Sequence, residues 1–212
     1  MKSNKLLIFD NDISQDALNH YLSKPIIACD TETRGLMVPR DRLCLIQICD
    51  EEDYISVVRF VGKEAFNDSK QPNLVKLLKA ESVMKLFHYA RFDLSVLKYY
   101  LKVEVEPVFC TKIASKLVRT YSDRHSLKDL TNELLGITLD KSNQTSDWAA
   151  SDLTQSQIEY AANDVKVLIP LYNKLAAMLK RENLMDIACE LAKALKIVTT
   201  TDLMGYHSIL EH

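Results

Sequence analysis

The segment IIACDTETRG, residues 26–35, joins an apolar run to two acidic residues. Apolar or small residues lead directly into Asp30, Thr31 and Glu32, which is typical of a buried strand that ends at a polar edge. Because side chains alternate along a strand, Asp30 and Glu32 are expected to share one face. Two interpretations fit this pattern. Either the strand ends at ordinary exposed acids, or the two carboxylates bind a divalent cation, which removes their mutual repulsion.

The sequence on both sides of this segment predicts an α/β fold. Stretches rich in apolar and β-branched residues predict strands at 5–9, 25–32, 42–50 and 53–58, with an acidic hairpin turn at 50–53 and a helix at 12–22. From residue 73 the apolar period alternates, which predicts helices at 73–80, 91–101 and 111–120, a strand within 83–90 and a further strand at 105–111. Strands that alternate with helices indicate parallel crossover connections.

The sequence after Arg119 predicts helices only. They are expected at 126–136, at 154–183 with a kink at Pro170, and at 185–203. The length of 212 residues suits a single domain, 1–212, with a C-terminal helix within 183–203. Residues 210–212 resemble the start of an affinity tag and are left out of the interpretation.

Composition and charge narrow the class of protein. An apolar fraction of 47% and a charged fraction of 26% are those of a globular protein, and no window approaches the roughly 18 consecutive apolar residues of a membrane span. The N-terminal apolar run is too short for a secretory signal, and the five cysteines form no CxxC pair, so we expect free thiols in a reducing cytoplasm. The net charge of −2 implies that any basic surface for nucleic acid is local.

Three further stretches place acidic residues where they fit a site. HYARFD, 88–93, puts Asp93 at a helix start, and YAAND, 160–164, puts Tyr160 and Asp164 on one helix face. LDKSNQTSDW, 139–148, is rich in polar residues. Taken one at a time, these stretches also fit an ordinary helix N-terminus, a solvated helix face and a polar loop anchored by one tryptophan.

Taken together and in this order, the motifs resemble a known family. Asp-x-Glu on a strand, Phe-Asp at a helix start and Tyr-x-x-x-Asp on a late helix resemble the DEDD-type 3′–5′ exonucleases, in the tyrosine-containing subtype named DEDDy. The stretch HSLKDLTNELLGITLDKSNQTSDW, 125–148, is similar to ribonuclease D, and the resemblance covers residues 25–175. Ribonuclease D carries further helical nucleic-acid-binding domains, for which this sequence is too short. It is therefore more similar to the short bacterial nanoRNase C type.

The resemblance implies a ribonuclease H-like exonuclease fold, a mixed β-sheet flanked by helices with a helical C-terminal part. It also implies two Mg²⁺ ions, for which Mn²⁺ is expected to be able to substitute. The first set of implied residues comprises the four metal-binding carboxylates and the tyrosine that positions the attacking water: Asp30, Glu32, Asp93, Asp164 and Tyr160. Asp30 would bridge the ions. The second set lies near the substrate or supports its binding: Thr31, His88, Phe92, Lys141, Gln144 and Trp148.

The same resemblance implies a substrate and an assembly. The nanoRNase C type degrades very short RNA, so we expect short single-stranded RNA, and in second place DNA, as the binding partner. Members of that type form homo-oligomers, and the amphipathic tail 185–203 fits either subunit contacts or packing on its own domain. The alternatives are an exonuclease that trims longer RNA 3′ ends or DNA, and a catalytically silent RNA-binding scaffold, which the presence of all four acids and the tyrosine disfavours.

Overall fold

The computed structural model describes residues 5–62, 65–66, 71–140, 146–150 and 152–209. Its strands are β1 (Lys5–Asp10), β2 (Ile26–Thr33), β3 (Leu43–Cys49), β4 (Tyr54–Arg59), β5 (Met84–Phe87) and β6 (Val108–Cys110). They form one sheet in the order β1-β4-β3-β2-β5-β6. β3 is antiparallel to β2 and β4, whereas the other neighbouring pairs are parallel. The predicted mixed sheet is therefore confirmed.

Helices cover both faces of this sheet. They are α1 (Gln15–Leu22), α2 (Pro72–Lys79), α3 (Ala90–Leu101), α4 (Thr111–Val118), α5 (Leu127–Leu130), α6 (Gln155–Lys166), α7 (Leu168–Arg181) and α8 (Met185–Leu203). Apolar side chains of α1, α2 and α3 form one core layer with the sheet, and those of α6 and α7 form a second layer on the other face. None of the helices in the described part of the chain is long and apolar enough to span a membrane.

The hairpin between β3 and β4 is fixed by its acidic turn. Asp50 Oδ1 accepts hydrogen bonds from the backbone N–H groups of Glu52 (2.8 Å) and Tyr54 (2.9 Å). Asp53 has a φ of 60°, a left-handed conformation that aspartate tolerates better than most residues. The turn therefore sets the register of β3 against β4, in which Gln47 lies opposite Val57.

The structure fixes the bounds of three predicted elements. The strand predicted within 83–90 is Met84–Phe87, and it ends there because Tyr89 adopts a left-handed conformation (φ 63°) that starts α3. The strand predicted at 105–111 begins only at Val108, after Pro107, which has no N–H for the ladder. The helix predicted at 126–136 begins at its N-cap Ser126 and ends at Gly136 (φ 69°), but its second half, Thr131–Leu135, is π-helical.

The helix predicted at 154–183 is two helices. They meet at Val167, whereas the sequence predicted a kink at Pro170. A proline ring clashes with the carbonyl four residues earlier, here that of Lys166, so the break precedes the proline. Pro170 then lies in the first turn of α7, where backbone N–H groups have no acceptor within the helix, so its lack of an N–H costs no helical hydrogen bond.

The C-terminal helix α8 packs on its own fold. Its buried Leu195 belongs to the first core layer and its buried Ala188 to the second. Lys98 of α3 donates to Thr200 Oγ1 (2.6 Å), and Arg91 donates to both carboxylate oxygens of Asp202 (2.7 Å each). Of the two roles expected for the tail, packing on its own domain is therefore observed.

Candidate active site

The end of β2 extends beyond its neighbour β5. β5 pairs with β2 only from Ile26 to Ala28, whereas β3 continues to pair with β2 as far as Thr33. The carboxyl ends of parallel strands lie at one edge of a sheet, so Asp30 and Glu32 project at the edge where β5 has stopped. On this side α3 begins, and Asp93 lies in its first turn.

Asp93 occupies the place that a β5 residue would take beside Thr31. Its Oδ1 accepts the Thr31 backbone N–H (3.1 Å) and the Thr31 hydroxyl (2.7 Å). Asp93 is only 3% exposed. The strand that carries Asp30 and Glu32 therefore also fixes the position of the third predicted acid.

Helix α6 brings the remaining predicted residues to the same edge. It starts in a capping box, in which Thr154 Oγ1 accepts from Gln157 N–H (3.2 Å) and Gln157 Oε1 accepts from Thr154 N–H (2.9 Å). Buried Ala161 and Ala162 face the sheet, and such small side chains allow the helix to approach it closely. Tyr160 and Asp164 are four residues apart and lie on one face of the helix.

The carboxylates of Asp30, Glu32 and Asp164 meet at this edge. One oxygen from each lies within 4.8 Å of the other two. Burial, followed by the charges of Asp93, Glu32 and Asp164, raises the pKa of Asp30 well above its ordinary value. Burial and then the charges of Asp164 and Asp93 raise the pKa of Glu32 to about 9.

The pKa of Asp93 is raised less. Burial raises it to about 7, while the two hydrogen bonds from Thr31 oppose the increase. Without a cation, several negative charges would lie close together in a partly buried site, and the raised pKa values of Asp30 and Glu32 reflect this unfavourable arrangement. Closely spaced carboxylate oxygens are the donors that Mg²⁺ and Mn²⁺ prefer, so the residues present fit such ions.

Tyr160 lies between the acids and an aromatic support. Its hydroxyl is hydrogen-bonded to Asp164, and burial together with the charges of Asp164 and Glu32 raises its pKa. The phenol therefore stays protonated and keeps its single O–H donor, which is directed to Asp164. The buried Trp148 (4% exposed) places its ring 5.9 Å from the Tyr160 ring, measured between centroids, so the two aromatic rings pack against each other.

The residues predicted near the substrate are more dispersed. Thr31 holds Asp93, and Trp148 supports Tyr160, as described above. His88 Nδ1 lies 2.9 Å from Thr111 Oγ1 on α4, and burial lowers its pKa to about 4, so the ring is neutral at pH 7. Phe92 is half-buried against the first core layer. Lys141 and Gln144 fall outside the described residues.

One residue beside the site was missed in the sequence. Gln47 on β3 lies directly opposite Asp30 on β2, so the two side chains share a face. The Gln47 side chain is fully buried, and among the described residues neither its Nε2 nor its Oε1 has a hydrogen-bond partner. The signal was a single amide in the apolar run LCLIQIC, but its position opposite Asp30 depends on the register between β2 and β3, which the sequence alone does not give.

The chain matches the sequence model of a family described as 3′–5′ exonuclease over residues 7–180. The chain belongs to this 3′–5′ exonuclease family. It is 38% identical over 165 residues to DNA polymerase I of Aquifex aeolicus, covering 77% of this chain and 26% of the polymerase. It is 31% identical over 173 residues to ribonuclease D of Acidiphilium cryptum, covering 82% of this chain and 43% of that enzyme. The exonuclease thus spans less than half the length of these curated relatives.

A solved structure of similar length matches the exonuclease over nearly its whole chain. Brucella melitensis NrnC superimposes with a TM-score of 0.88 and 44% sequence identity, covering 96% of each chain. The ribonuclease D-like character predicted from the motifs, and the similarity to the short bacterial type, are therefore confirmed.

Proposed function

We propose that this protein is a divalent-metal-dependent 3′–5′ exoribonuclease that hydrolyses short single-stranded RNA to nucleoside 5′-monophosphates. The observation that carries the proposal is the convergence of three carboxylates within 4.8 Å, with Asp93 and Tyr160 held beside them. A cluster of like charges in a partly buried place is unfavourable by itself, so a cation is the simplest reason for it.

The proposed cofactor is a pair of Mg²⁺ ions held by Asp30, Glu32, Asp93 and Asp164. When bound, two such ions supply the positive charge that activates a water molecule and stabilises the departing oxygen of a phosphodiester. A structure of Brucella melitensis NrnC with bound Mg²⁺ has a TM-score of 0.87 and 42% identity to this chain, which supports the use of a divalent ion. Mn²⁺ is proposed to substitute, since it accepts the same oxygen ligands.

The chain's own residues have distinct roles in this proposal. Tyr160 remains protonated and donates through its hydroxyl, which orients the attacking water together with the carboxylate of Asp164. Thr31 fixes one oxygen of Asp93 with two hydrogen bonds and leaves the other oxygen for ligation. Trp148 limits the motion of the Tyr160 ring, so the donor is held in place before substrate binds.

Short RNA is the proposed substrate for two reasons. NrnC from Brucella melitensis has been solved bound to pGG, and that structure is 44% identical to this chain with a TM-score of 0.87. The net charge of −2 also disfavours a long electrostatic track for nucleic acid. Trimming of longer RNA or of DNA remains the second candidate, because ribonuclease D of Acidiphilium cryptum is a relative. Homo-oligomer formation stays a prediction.

The test is a time course with 5′-labelled RNA of about two, seven and twenty nucleotides. Each length is incubated with Mg²⁺, with Mn²⁺ and with EDTA, and in parallel with an Asp93→Asn variant. Rapid cleavage of the shortest RNA that requires metal and Asp93 is the expected result. Ladder-like shortening of the longest RNA that stalls at a few nucleotides would favour the trimming exonuclease. Binding without cleavage at every length would instead identify a silent scaffold.

A further inference from the structure

We infer that a groove formed by Tyr89, Lys112 and Lys116 binds the phosphodiester backbone and a base of RNA, on the 5′ side of the nucleotide that is removed. This inference rests on the proposed exoribonuclease function and adds a determinant of substrate length to it. The groove, called the Tyr89 groove below, has a volume of about 140 Å³ and is also lined by Arg91, Ile113 and Leu195.

The charge of the Tyr89 groove comes from two lysines. Arg91 lies in its wall, but its charge is matched by Asp202, which it binds through two hydrogen bonds of 2.7 Å. Lys112 and Lys116 are one helical turn apart on α4, and within the described part of the chain neither forms an ion pair. On a protein of net charge −2, this is a local basic site built from residues that are not contiguous in the sequence.

Tyr89 supplies an aromatic surface in the same groove. It is 49% exposed, and its ring lies 4.1 Å from Lys112 Nζ, measured to the ring centroid. Its φ of 63° is unusual for a bulky residue, and such strained conformations persist where the surrounding structure requires a particular placement of the side chain. An exposed aromatic ring beside cations is the combination that binds single-stranded nucleic acid, by base stacking and phosphate neutralisation.

The position of the Tyr89 groove relative to the carboxylates determines which part of the RNA binds in the groove. Tyr89 directly precedes α3, whose first turn carries Asp93, and the His88–Thr111 hydrogen bond joins this segment to the start of α4. β2, β5 and β6 are neighbouring parallel strands, so their carboxyl ends lie on one edge. Two strand spacings separate β6 from β2 by about 10 Å, the rise of roughly three stacked nucleotides.

When the 3′ end of an RNA lies at the carboxylates, the nucleotides a few positions upstream of that end therefore lie in the Tyr89 groove. An RNA of about seven nucleotides reaches both places, whereas a dinucleotide reaches the groove only in part. The groove is thus expected to increase the affinity for the longer RNA more than that for the dinucleotide, and to do so through phosphate charge.

The first experiment measures binding of the two RNAs by fluorescence anisotropy, with Ca²⁺ replacing Mg²⁺ to suppress turnover. In the double variant Lys112→Ala/Lys116→Ala, the Kd for the heptamer is expected to rise at least about ten-fold. The slope of log K against log salt should fall in magnitude by about 1.4, since each lost phosphate contact on a single strand contributes about 0.7. The matched control is Lys76→Ala/Lys79→Ala on exposed positions of α2, which removes the same charge elsewhere and should retain the wild-type Kd and slope.

The second experiment uses Tyr89→Asn, because asparagine tolerates the left-handed conformation while removing the ring. Affinity for the heptamer should fall about five-fold or more with little change in the salt slope, because the lost contribution is stacking. The melting temperature should stay equal or rise, since a residue better suited to this backbone replaces a strained one. A lower melting temperature with unchanged affinity would show a purely structural tyrosine and overturn its role in the groove.

Three further outcomes separate the groove from the proposed function. An unchanged heptamer Kd and salt slope in the lysine double variant would overturn the groove while leaving exonuclease activity untouched. A fall in the mass of the protein in solution for that variant, measured by light scattering, would identify the groove as a contact between subunits and also overturn it. Wild-type protein that binds the heptamer through these lysines but does not shorten it with Mg²⁺ would support the groove and contradict the proposed function.

Discussion

Thr31 holds Asp93 by donating both its backbone N–H and its hydroxyl to a single carboxylate oxygen, at 3.1 and 2.7 Å. The contact spans 62 positions in the sequence and joins the strand that carries two of the predicted ligands to the helix that carries a third. The position of Asp93 is therefore determined by β2 itself, and changes to either residue test how much of the proposed activity depends on it.

Asp93→Asn is expected to reduce turnover of short RNA with Mg²⁺ by at least about 100-fold. The amide still accepts from Thr31, so the fold should persist, as judged by circular dichroism and thermal unfolding. Turnover close to that of the wild-type protein would show that Asp93 is not a ligand.

Thr31→Val removes the hydroxyl donor but keeps the backbone N–H and the shape of the side chain. We expect turnover to fall about ten-fold and the free energy of unfolding to fall by about 1–2 kcal/mol, because a buried hydrogen bond to a carboxyl group is lost. Thr31→Ser, which retains the hydroxyl, is the matched control and should keep most of both quantities. Equal behaviour of the two variants would contradict the role assigned to the hydroxyl.

Tyr160→Phe should lower kcat by about 100-fold while changing the Mg²⁺ concentration required for half-maximal activity by less than about three-fold, because the phenol acts on water and not as a ligand. The measurement is the initial rate at several Mg²⁺ concentrations. Tyr172→Phe on α7, where the ring packs edge-on against Phe109 (centroids 4.9 Å apart), is the control and should retain the wild-type rate. A parallel loss of metal affinity and rate would show that the role of Tyr160 is structural.

Gln47→Met should increase the free energy of unfolding in EDTA by about 1 kcal/mol, because it replaces a buried amide that has no partner among the described residues with an apolar chain of similar volume. The comparison is Gln157→Met, where the amide is bonded to Thr154 N–H (2.9 Å) and its loss should destabilise the protein by about 1 kcal/mol. Urea unfolding measures the change in the free energy of unfolding, which should be an increase for Gln47→Met and a decrease for Gln157→Met. Destabilisation by Gln47→Met would show that the amide is paired in solution.

The stability of the metal-free protein is expected to fall between pH 7 and pH 9. Burial and neighbouring carboxylates raise the pKa of Glu32 to about 9 in the folded state, so the folded protein binds a proton that the unfolded chain has released. Stability then falls as pH rises towards 9, by at most about 1.4 kcal/mol per pH unit for one proton. His88, whose pKa burial lowers to about 4, titrates below this window, whereas Lys85, whose pKa burial lowers to about 8, offsets part of the fall above pH 8 because the unfolded chain then keeps a proton that the folded protein has lost. Thermal unfolding in EDTA should show the fall, and Glu32→Gln should reduce it.

The sequence predicted the parts of the site that depend on local periodicity. Asp30 and Glu32 share a face because a strand has a period of two, and Tyr160 and Asp164 share a face because four residues make about one helical turn. The family resemblance then placed Asp93 with them. These five positions also meet in the structure, although their chemical roles stay proposals.

The remaining features depend on contacts that local patterns do not contain. Gln47 faces Asp30 because of the register in which β3 pairs with β2, and the periodicity of either strand alone does not give this register. The Tyr89 groove combines side chains separated by more than 20 positions and brought together by two neighbouring parallel strands. The break at Val167 was displaced from Pro170 because the proline constrains the turn before it.

This break has a mechanical consequence for the carboxylates. A continuous helix over residues 155–181 would be about 40 Å long, and a tilt of about 3° at one end would shift the other end by about 2 Å. Precise placement of catalytic groups tolerates only about 0.5 Å. Because α6 ends at Lys166, its contacts with β2 and β3 set the orientation of Asp164, and a tilt of α7 would not be transmitted to Asp164 along a single helix axis.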